Sequence, residues 1–326
     1  MERVLSGIQP TGAMHLGNYL GAVRFWVEDQ HRADAYFCVV DLHALTVEHD
    51  PATLRAATLR KAQELLACGL DPDVCTLFVQ SHVPAHAELS WLMESTASFG
   101  ELRRMTQFKD KSDGQEGVRV ALFTYPCLMA ADILLYRADR VPVGDDQRQH
   151  LELARDLAVR FNARYGETFV VPGAAIPRVG ARVMDLQEPT AKMSKSRGNP
   201  QGRIELFEDP ASIARKVRRA VTDAGSEVRY DPATKPGVSN LLELLAVTTG
   251  RSPEDVAAGY SQYGPLKADT AEAVVEYLRP LQARFQELEA DPGAVREALA
   301  KGAVKAASVA NVVLAEAQQA IGLLPR

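Results

Sequence analysis

The chain has 326 residues, of which 46% are hydrophobic and 24% charged, as in an ordinary globular protein of two domains or one large one. Its formal net charge of −5 argues against a protein coated with nucleic acid, although a local basic patch is compatible with it. The four cysteines form no CxxC pair, so we expect no metal bound by protein side chains. No apolar run approaches the roughly 18 residues of a membrane span, and residues 1–7 predict a strand rather than a signal peptide, which favours a cytoplasmic protein.

Strand-like and helix-like patterns alternate through the first half of the chain. Strands are predicted at residues 3–8, 35–40, 74–79 and 140–143, and helices at residues 16–30, 51–68, 124–135 and from 145 onward. Asp50 and Pro51 mark a helix start as N-cap and first helical residue, and Gly69 marks its end. The last helix has the apolar stripe Leu151, Ala154, Leu157, Ala158 and Phe161. This alternation predicts an α/β fold with a doubly wound parallel sheet, a Rossmann-like domain.

The pattern changes near residue 186. A loop rich in Pro, Lys, Ser and Gly spans residues 187–202, and a second, helical domain is predicted beyond it. Helices are expected at residues 210–220, 238–248, 253–261, 267–289 and 292–320. Residues 191–220 have a local charge of +5, which by itself fits a solvated surface as well as a binding surface.

The turn after the first strand, residues 7–18, places glycines before a helix N-terminus. Free backbone N–H groups and the helix dipole favour an anion at such a turn. Gly17 has no Cβ and lets a flat base lie on the backbone, while His15 and Asn18 share a helix face from which both can reach a phosphate. A plain strand-to-helix turn with a surface histidine is the alternative interpretation.

A second segment, Lys192-Met193-Ser194-Lys195-Ser196, lies in the loop before the helical domain. Two ammonium groups three residues apart suit a polyphosphate leaving group, which needs positive charge as it departs. A basic linker is the alternative interpretation of this segment. Elsewhere, His82 and His86 have the spacing of a zinc pair, but Pro84 between them is expected to break the helical geometry that such a pair needs.

The two segments resemble the HIGH and KMSKS signatures of class I aminoacyl-tRNA synthetases: residues 15–18 (the HLGN segment) are a variant of the first, and residues 192–196 (the KMSKS segment) are identical to the second. Over essentially the whole chain, the resemblance is to bacterial-type tryptophanyl-tRNA synthetases. It is carried further by residues 6–12, 100–102, 105–109, 129–134, 143–147 and 220–223. The chain departs from the pattern at Leu16 and Asn18, and at Leu5, where a phenylalanine is expected.

This resemblance implies that the enzyme joins the tryptophan carboxylate to the α-phosphorus of ATP, with Mg²⁺, and then transfers tryptophan to the 3′-terminal ribose of tRNA(Trp). It further implies a homodimer. Four regions are expected: a catalytic domain at 1–186, the KMSKS loop at 187–202, an anticodon-binding domain at 203–291, and a C-terminal helix at 292–326 that packs back on the catalytic domain. In the helical domain, Lys216, Arg218 and Arg219 are expected to lie on the path of the tRNA.

The resemblance also implies the site residues. The catalytic set is His15, Asn18, Lys111, Lys192 and Lys195. The ATP-binding set is Gln9, Pro10, Thr11, Gly17, Asn18, Gly144, Asp145, Asp146, Val183, Lys192, Met193, Ser194, Lys195 and Ser196. The tryptophan-binding set is Leu5, Val40, His43, Gln107, Tyr125, Met129, Asp132, Ile133, Val141, Val143 and Gln147. Asp132 is expected to be the polar contact of the pocket, since an acid within an apolar helical run usually faces something specific. For the valines and Met129, core packing is the alternative.

Three other functions compete with this interpretation. Tyrosyl-tRNA synthetases share the fold, but residues 6–12 and 129–134 favour the tryptophan enzyme. A nucleotidyltransferase of the HxGH type is usually smaller and lacks the KMSKS segment. A synthetase paralogue that only binds RNA is the non-enzymatic alternative, and both intact signatures count against it.

Overall fold

The computed structural model describes residues 1–112, 117–142, 144, 147–175, 183–195 and 199–325, apart from the side chains of residues 110–112, 174 and 175. In chain order its strands and helices are β1 (Arg3–Ile8), α1 (Leu16–Asn18), a π-helical turn (Tyr19–Val23), α2 (Arg24–Asp29), β2 (Asp34–Val39), α3 (Pro51–Ala67), β3 (Thr76–Val79), α4 (Ala85–Thr96), α5 (Phe99–Arg103), α6 (Thr106–Ser112), α7 (Val120–Leu134), β4 (Arg140–Pro142), α8 (Arg148–Tyr165), β5 (Gly173–Ala175), α9 (Pro210–Arg218), α10 (Pro236–Thr249), α11 (Pro253–Ala257), α12 (Tyr263–Ala290) and α13 (Pro292–Ala320).

The strands form one parallel sheet in the order β3-β2-β1-β4-β5, which confirms the predicted α/β fold. The chain moves outward from β1 through β2 to β3 and then returns to the other side of β1 with β4. The order therefore reverses between β1 and β4, and a crevice is expected outside the carboxyl ends of these two strands. Strand β5 was not predicted, because its three residues, Gly173–Ala175, have too little pattern to mark a strand.

Most predicted helices are present, with three informative differences. Residues 16–30 form no single α-helix, because a π-helical turn at Tyr19–Val23 separates α1 from α2. Helix α4 was not predicted: Pro84 does not interrupt a helix but is the N-cap of α4, so His86 lies in the first turn. Helix α7 begins at Val120 rather than at 124. Its earlier start was missed because the N-cap residue, Arg119, makes no side-chain capping hydrogen bond.

Apolar side chains cover both faces of the sheet. On one face, β-strand residues pack with α3 and the helices α9–α12, and on the other with α4, α7, α8 and α13. All four cysteines are buried core residues, as predicted for three of them. The predicted stripe of α8 is buried in the second core.

Helix α13 lies along the edge strand β3. A Cβ added to Gly302 would lie 1.8 Å from the Leu77 carbonyl oxygen, so the two backbones are in direct contact. By length and composition α13 could span a membrane, yet its residues Ala306, Ala310, Val313 and Ala317 are buried in the core. The helix therefore covers a sheet edge that would otherwise be open to pairing.

One prediction about the basic segment is wrong. Lys216 is not on the surface: its ammonium group is buried and donates to Glu208 Oε2 at 2.6 Å and to the Arg203 carbonyl oxygen at 2.9 Å. Arg203 in turn pairs with Glu205 at 2.9 Å. Both cations therefore stabilise the junction between the loop and α9, because burial demands a partner for each charge. At α9, in contrast, Arg215, Arg218 and Arg219 are exposed.

Candidate active site

A cavity of about 510 Å³ lies at the carboxyl ends of β1 and β4, under α7. Its lining includes ten residues of the predicted tryptophan-binding set: Leu5, Val40, His43, Gln107, Tyr125, Met129, Asp132, Ile133, Val141 and Gln147. Val143 lies outside the described residues. Gln9 and Gly144, from the predicted nucleotide set, line the same cavity. The fold thus brings together residues from β1, β2, α7 and β4 that are far apart in the sequence.

The walls of the cavity are mainly apolar. Leu5, Val40, Ile133 and Val141 are buried in this wall, and Trp26 lines it from the α2 side. Trp26 was not in the predicted set, because nothing in the sequence shows that its indole ring reaches the cavity at the carboxyl ends of the strands. An apolar slot of this kind holds a flat ring but discriminates weakly between apolar side chains.

Asp132 is the acid of this cavity, and the residue is 6% exposed. The Nε2 atom of His43 lies 2.8 Å from Oδ2, while Gln80 Nε2 donates to Oδ1 at 2.7 Å. His86 Nδ1 is 2.6 Å from the same Oδ1, and its Nε2 is 2.7 Å from the Tyr136 hydroxyl. Asp132 is therefore held by three side chains and is not a helix-surface acid.

These contacts keep Asp132 ionised. Burial alone would raise its pKa, but hydrogen bonds from His43 and His86 outweigh burial and hold the pKa of Asp132 well below its usual value. A carboxylate has about four acceptor positions, so three donors leave room for one more. Gln80 and His86 were missed, although both follow β3 and thus lie at the carboxyl edge next to β2.

A second polar group lies at the other side of the cavity. The Tyr125 hydroxyl is 3.2 Å from Gln107 Oε1 and 2.6 Å from His150 Nε2. His150 is buried in α8 and was also missed, since a lone histidine in a helix gives no signal of its own. These contacts fix the orientation of the Tyr125 hydroxyl at the cavity wall.

The HLGN segment begins α1. His15 is its N-cap rather than a residue of the helix, and its Nδ1 accepts from the Asn18 backbone N–H at 3.2 Å. Asn18 Oδ1 accepts from the His15 backbone N–H at 3.2 Å, so the two side chains cap each other's backbone.

The His15 imidazole is neutral. Burial, and then the positive charges of Lys195 and Arg203, lower the pKa of His15 to about 3. Because Nδ1 is an acceptor, the ring hydrogen is assigned to Nε2. His15 can therefore offer an N–H donor without adding a charge.

The HLGN and KMSKS segments approach each other at Gly17, and each is also held by a backbone hydrogen bond to a neighbouring residue. Met193 N donates to the Val183 carbonyl at 3.1 Å, which joins two residues of the predicted ATP-binding set. Leu16 N donates to the Ile204 carbonyl at 2.9 Å. A Cβ on Gly17 would lie 3.1 Å from the His15 ring and 3.6 Å from Met193 Cβ, so the HLGN segment lies against Met193 of the KMSKS segment at this glycine.

Lys195 reaches back from the KMSKS segment to the turn after β1. Its ammonium group donates to the Thr11 carbonyl at 2.7 Å and to the Gly12 carbonyl at 3.3 Å. Burial, and then the positive charge of Lys61, lower the pKa of Lys195 to about 8. Lys192 is exposed on the same segment.

The remaining predicted residues divide into two groups. Pro10 is buried beside exposed Gln9 and Thr11, and Ser194 is partly buried next to Lys195. Asp145, Asp146 and Ser196 lie outside the described residues, as does the side chain of Lys111, whose backbone belongs to α6. An apolar slot with one ionised acid thus adjoins a turn where ammonium groups, a neutral imidazole and a helix N-terminus converge, an arrangement suited to a phosphate ester.

Comparisons with known proteins agree with this geometry. The family model of class I tRNA synthetases (W and Y) matches residues 1–279. Tryptophan–tRNA ligase 1 of Streptomyces coelicolor is 57% identical over 330 residues, with 100% of this chain and 98% of that relative covered. Its counterpart from Streptomyces avermitilis is 59% identical, with 99% of each chain covered.

Solved structures give the same result. The tryptophanyl-tRNA synthetase of Mycoplasma pneumoniae superposes with a TM-score of 0.89 at 37% identity, covering 99% of this chain and 98% of that one. The enzyme of Campylobacter jejuni, complexed with ADP and tryptophan, superposes with a TM-score of 0.87 at 33% identity, covering 98% and 100%. The chain therefore belongs to the class I tRNA synthetases and, within them, to the bacterial-type tryptophanyl-tRNA synthetases.

Proposed function

We propose that this protein, acting in the cytoplasm, activates L-tryptophan with ATP and transfers it to the 3′-terminal ribose of tRNA(Trp). The observation that carries the proposal is the ionised Asp132 at the wall of an apolar cavity, whose lining includes Gln9 of the turn that leads to the HLGN segment. An indole ring fits such a slot, and its N–H is a donor for the carboxylate. The complex of the Campylobacter jejuni relative with ADP and tryptophan supports both ligands.

The first step needs alignment and charge stabilisation rather than proton transfer. The tryptophan carboxylate is already ionised near neutral pH, so no general base is required. In-line attack on the α-phosphorus demands that the carboxylate and the triphosphate be held together, and the departing pyrophosphate gathers negative charge. In this proposal His15 and Asn18 meet the α-phosphate, and Lys111, Lys192 and Lys195 neutralise pyrophosphate.

ATP and its Mg²⁺ ion would arrive together as substrate, because phosphate oxygens are ligands that Mg²⁺ prefers. The adenine would lie over Gly17 against the backbone of Val183 and Met193, which are hydrogen-bonded to each other. Gln9, Pro10, Thr11, Gly144, Asp145, Asp146, Ser194 and Ser196 complete the proposed nucleotide set. For the amino acid, Tyr125 and Gln147 would hold the ammonium group, with Gln107 near the carboxylate.

An exposed apolar patch supports the homodimer that the family resemblance implies. Trp91 on α4, Phe99 on α5 and Val120 on α7 are 71%, 68% and 76% exposed, and the Phe99 ring lies 5.0 Å from that of Phe123. Large apolar side chains so exposed on adjoining helices commonly mark a protein interface. A second copy of this chain, placed symmetrically, would cover them.

Residues 203–291 are proposed to bind the anticodon, with Arg215, Arg218 and Arg219 contacting tRNA phosphates. Changing these three residues to glutamate should weaken ATP-dependent charging of tRNA(Trp) with labelled tryptophan. The salt dependence of tRNA binding should also become less steep, because each phosphate contact contributes about 0.7–0.9 to the slope of log affinity against log salt concentration. Tryptophan-dependent pyrophosphate exchange should be unchanged, because none of these side chains lines the cavity.

Arg32→Glu is the matched control, because this arginine precedes β2 at the opposite edge of the sheet from the cavity. The control should charge tRNA like the unmodified protein. Normal charging by the triple variant would place the tRNA elsewhere, and absence of charging by the unmodified protein would contradict the proposed function itself.

A further inference from the structure

Helix α3 contains a buried ion pair that the mechanism above does not use. Lys61 is 1% exposed and Glu64 is 0% exposed, and the Lys61 ammonium group contacts Glu64 Oε2. Removing two charges from water is costly, and an apolar pair of similar volume is often as stable or more so. The stability of the fold therefore gives no sufficient reason for this pair.

The pair contacts the backbone of the nucleotide turn. Lys61 Nζ donates to the Gly12 carbonyl at 3.1 Å, and Glu64 Oε1 accepts from Met14 N at 3.4 Å. Gly12 has a φ of +62°, a conformation that glycine adopts readily and other residues rarely do. The two charges thus contact the turn on both sides of Ala13, immediately before His15.

The same Gly12 carbonyl is shared with the KMSKS segment. Lys195 Nζ lies 3.3 Å from this oxygen and 2.7 Å from the Thr11 carbonyl. The oxygen therefore accepts from one buried lysine of α3 and from one lysine of the proposed pyrophosphate site. A displacement of the turn would move the acceptors of Lys195 and the backbone that precedes His15.

We propose that Lys61 and Glu64 are a positioning pair for tryptophan activation: they hold the turn at Gly12 and Met14 and thereby place Lys195 and His15 for the triphosphate. This inference rests on the proposed function of the site. Neither residue touches the substrate in this account. Both act through the backbone of the turn, and Lys61 also acts on Lys195 through its charge.

The electrostatics agree with this arrangement. After burial, the charge of Lys61 is the next cause of the lowered pKa of Lys195, about 8, and Glu64 opposes it. Among the described residues, the other charged or titratable groups that interact with Lys195 or with the pair are Arg203, Glu205, His15, Cys68 and Arg60. As the pH rises through about 8, Lys195 loses the charge that binds phosphate, so kcat/KM for ATP should fall on that alkaline limb.

The test uses the full-length protein and measures tryptophan-dependent pyrophosphate exchange across the pH range. Lys61→Met removes the cation, and Lys61→Met/Glu64→Gln removes both charges at nearly unchanged volume. Both variants should lose roughly ten- to hundredfold in kcat, because small misplacements in a site have effects of this size. Tryptophan affinity, measured by equilibrium dialysis, should stay near that of the unmodified protein.

The position of the alkaline limb in the pH profile of kcat/KM for ATP distinguishes a positioning role of Lys61 from a merely structural one. In Lys61→Met it should move to higher pH, because Lys195 loses a repelling charge and keeps Glu64 nearby. In the double variant it should return toward its original position while the rate stays low. Arg60→Gln is the control: Arg60 also pairs with Glu64, at 3.4 Å, but is partly exposed, and no described contact joins it to the turn. The Arg60→Gln variant should leave kcat and the position of the alkaline limb unchanged.

Thermal unfolding monitors the fold. Lys61→Met leaves the buried Glu64 carboxylate without its main partner and could therefore destabilise the protein. The double variant removes this carboxylate as well, so it tests the positioning role if the single variant is unstable. A double variant that activates tryptophan at the rate of the unmodified protein would overturn the proposal, whatever its melting temperature. Absence of exchange in the unmodified protein would instead overturn the proposed function.

Discussion

Replacing Lys195 with alanine is expected to slow tryptophan activation by about a hundredfold or more while tryptophan binding changes little. Charge develops on pyrophosphate late in the step, so a lysine acting on it contributes more in the transition state than in the ground state. Losing one preorganised donor of this kind typically costs about 3 kcal/mol in the barrier. Pre-steady-state measurement of adenylate formation, with tryptophan affinity measured separately, checks this.

Two further substitutions separate charge from packing. The Lys195 side chain lies close to Gly12, since a Cβ added there would be 3.3 Å from its Cδ, so truncation also empties space beside the turn. Lys195→Met keeps most of the stem without the charge and should be as slow as alanine. Lys195→Arg keeps the charge and should recover part of the rate. Unchanged turnover in Lys195→Ala would mean that the KMSKS segment is only a linker here.

Asp132→Ala should weaken the use of tryptophan by about 2–4 kcal/mol, measured as kcat/KM, while ATP binding barely changes. The indole N–H would lose its acceptor, and the donors of His43, His86 and Gln80 would lose theirs. Asp132→Asn should lose less, because the amide oxygen can still accept a hydrogen bond. Thermal unfolding should be measured alongside, since unpaired buried donors also lower stability.

The ratio of tryptophan to phenylalanine use isolates the role of Asp132 in selection. Phenylalanine lacks the indole N–H donor, so its binding would leave the buried Asp132 carboxylate without this hydrogen bond. Alanine at position 132 would not impose this cost. The ratio should fall in Asp132→Ala. Tyr136→Phe is the matched control: it removes the hydroxyl 2.7 Å from His86 Nε2 without altering the cavity lining, and should leave the ratio nearly unchanged. An unchanged ratio in Asp132→Ala would falsify the role assigned to this residue.

The features that could be predicted are those carried by contiguous residues. Strand β1 was predicted at its observed bounds, and Asp50 caps α3 through a bond from Thr53 N of 2.7 Å, with Pro51 as its first residue. The signature segments could likewise be located, since each occupies one turn or loop. Their convergence followed from the family resemblance and not from the local patterns.

The partners of the site residues could not be predicted, because strand order and helix packing decide them. His86 and Gln80 reach Asp132 only because β3 neighbours β2 and α4 packs on α7. Lys61 and Glu64 lie within a helical segment whose charges would ordinarily face solvent. The local charge of the basic segment also did not predict which cations are exposed. Lys216 is buried against Glu208 and contributes no charge to the surface.

The most direct test of the account is pyrophosphate exchange into ATP, measured with the unmodified protein and tryptophan, tyrosine or phenylalanine in turn. The cavity around Asp132 predicts exchange that depends on tryptophan and is not supported to a comparable extent by the other two amino acids. Equal or faster exchange with tyrosine would contradict the assignment of the cavity to an indole ring.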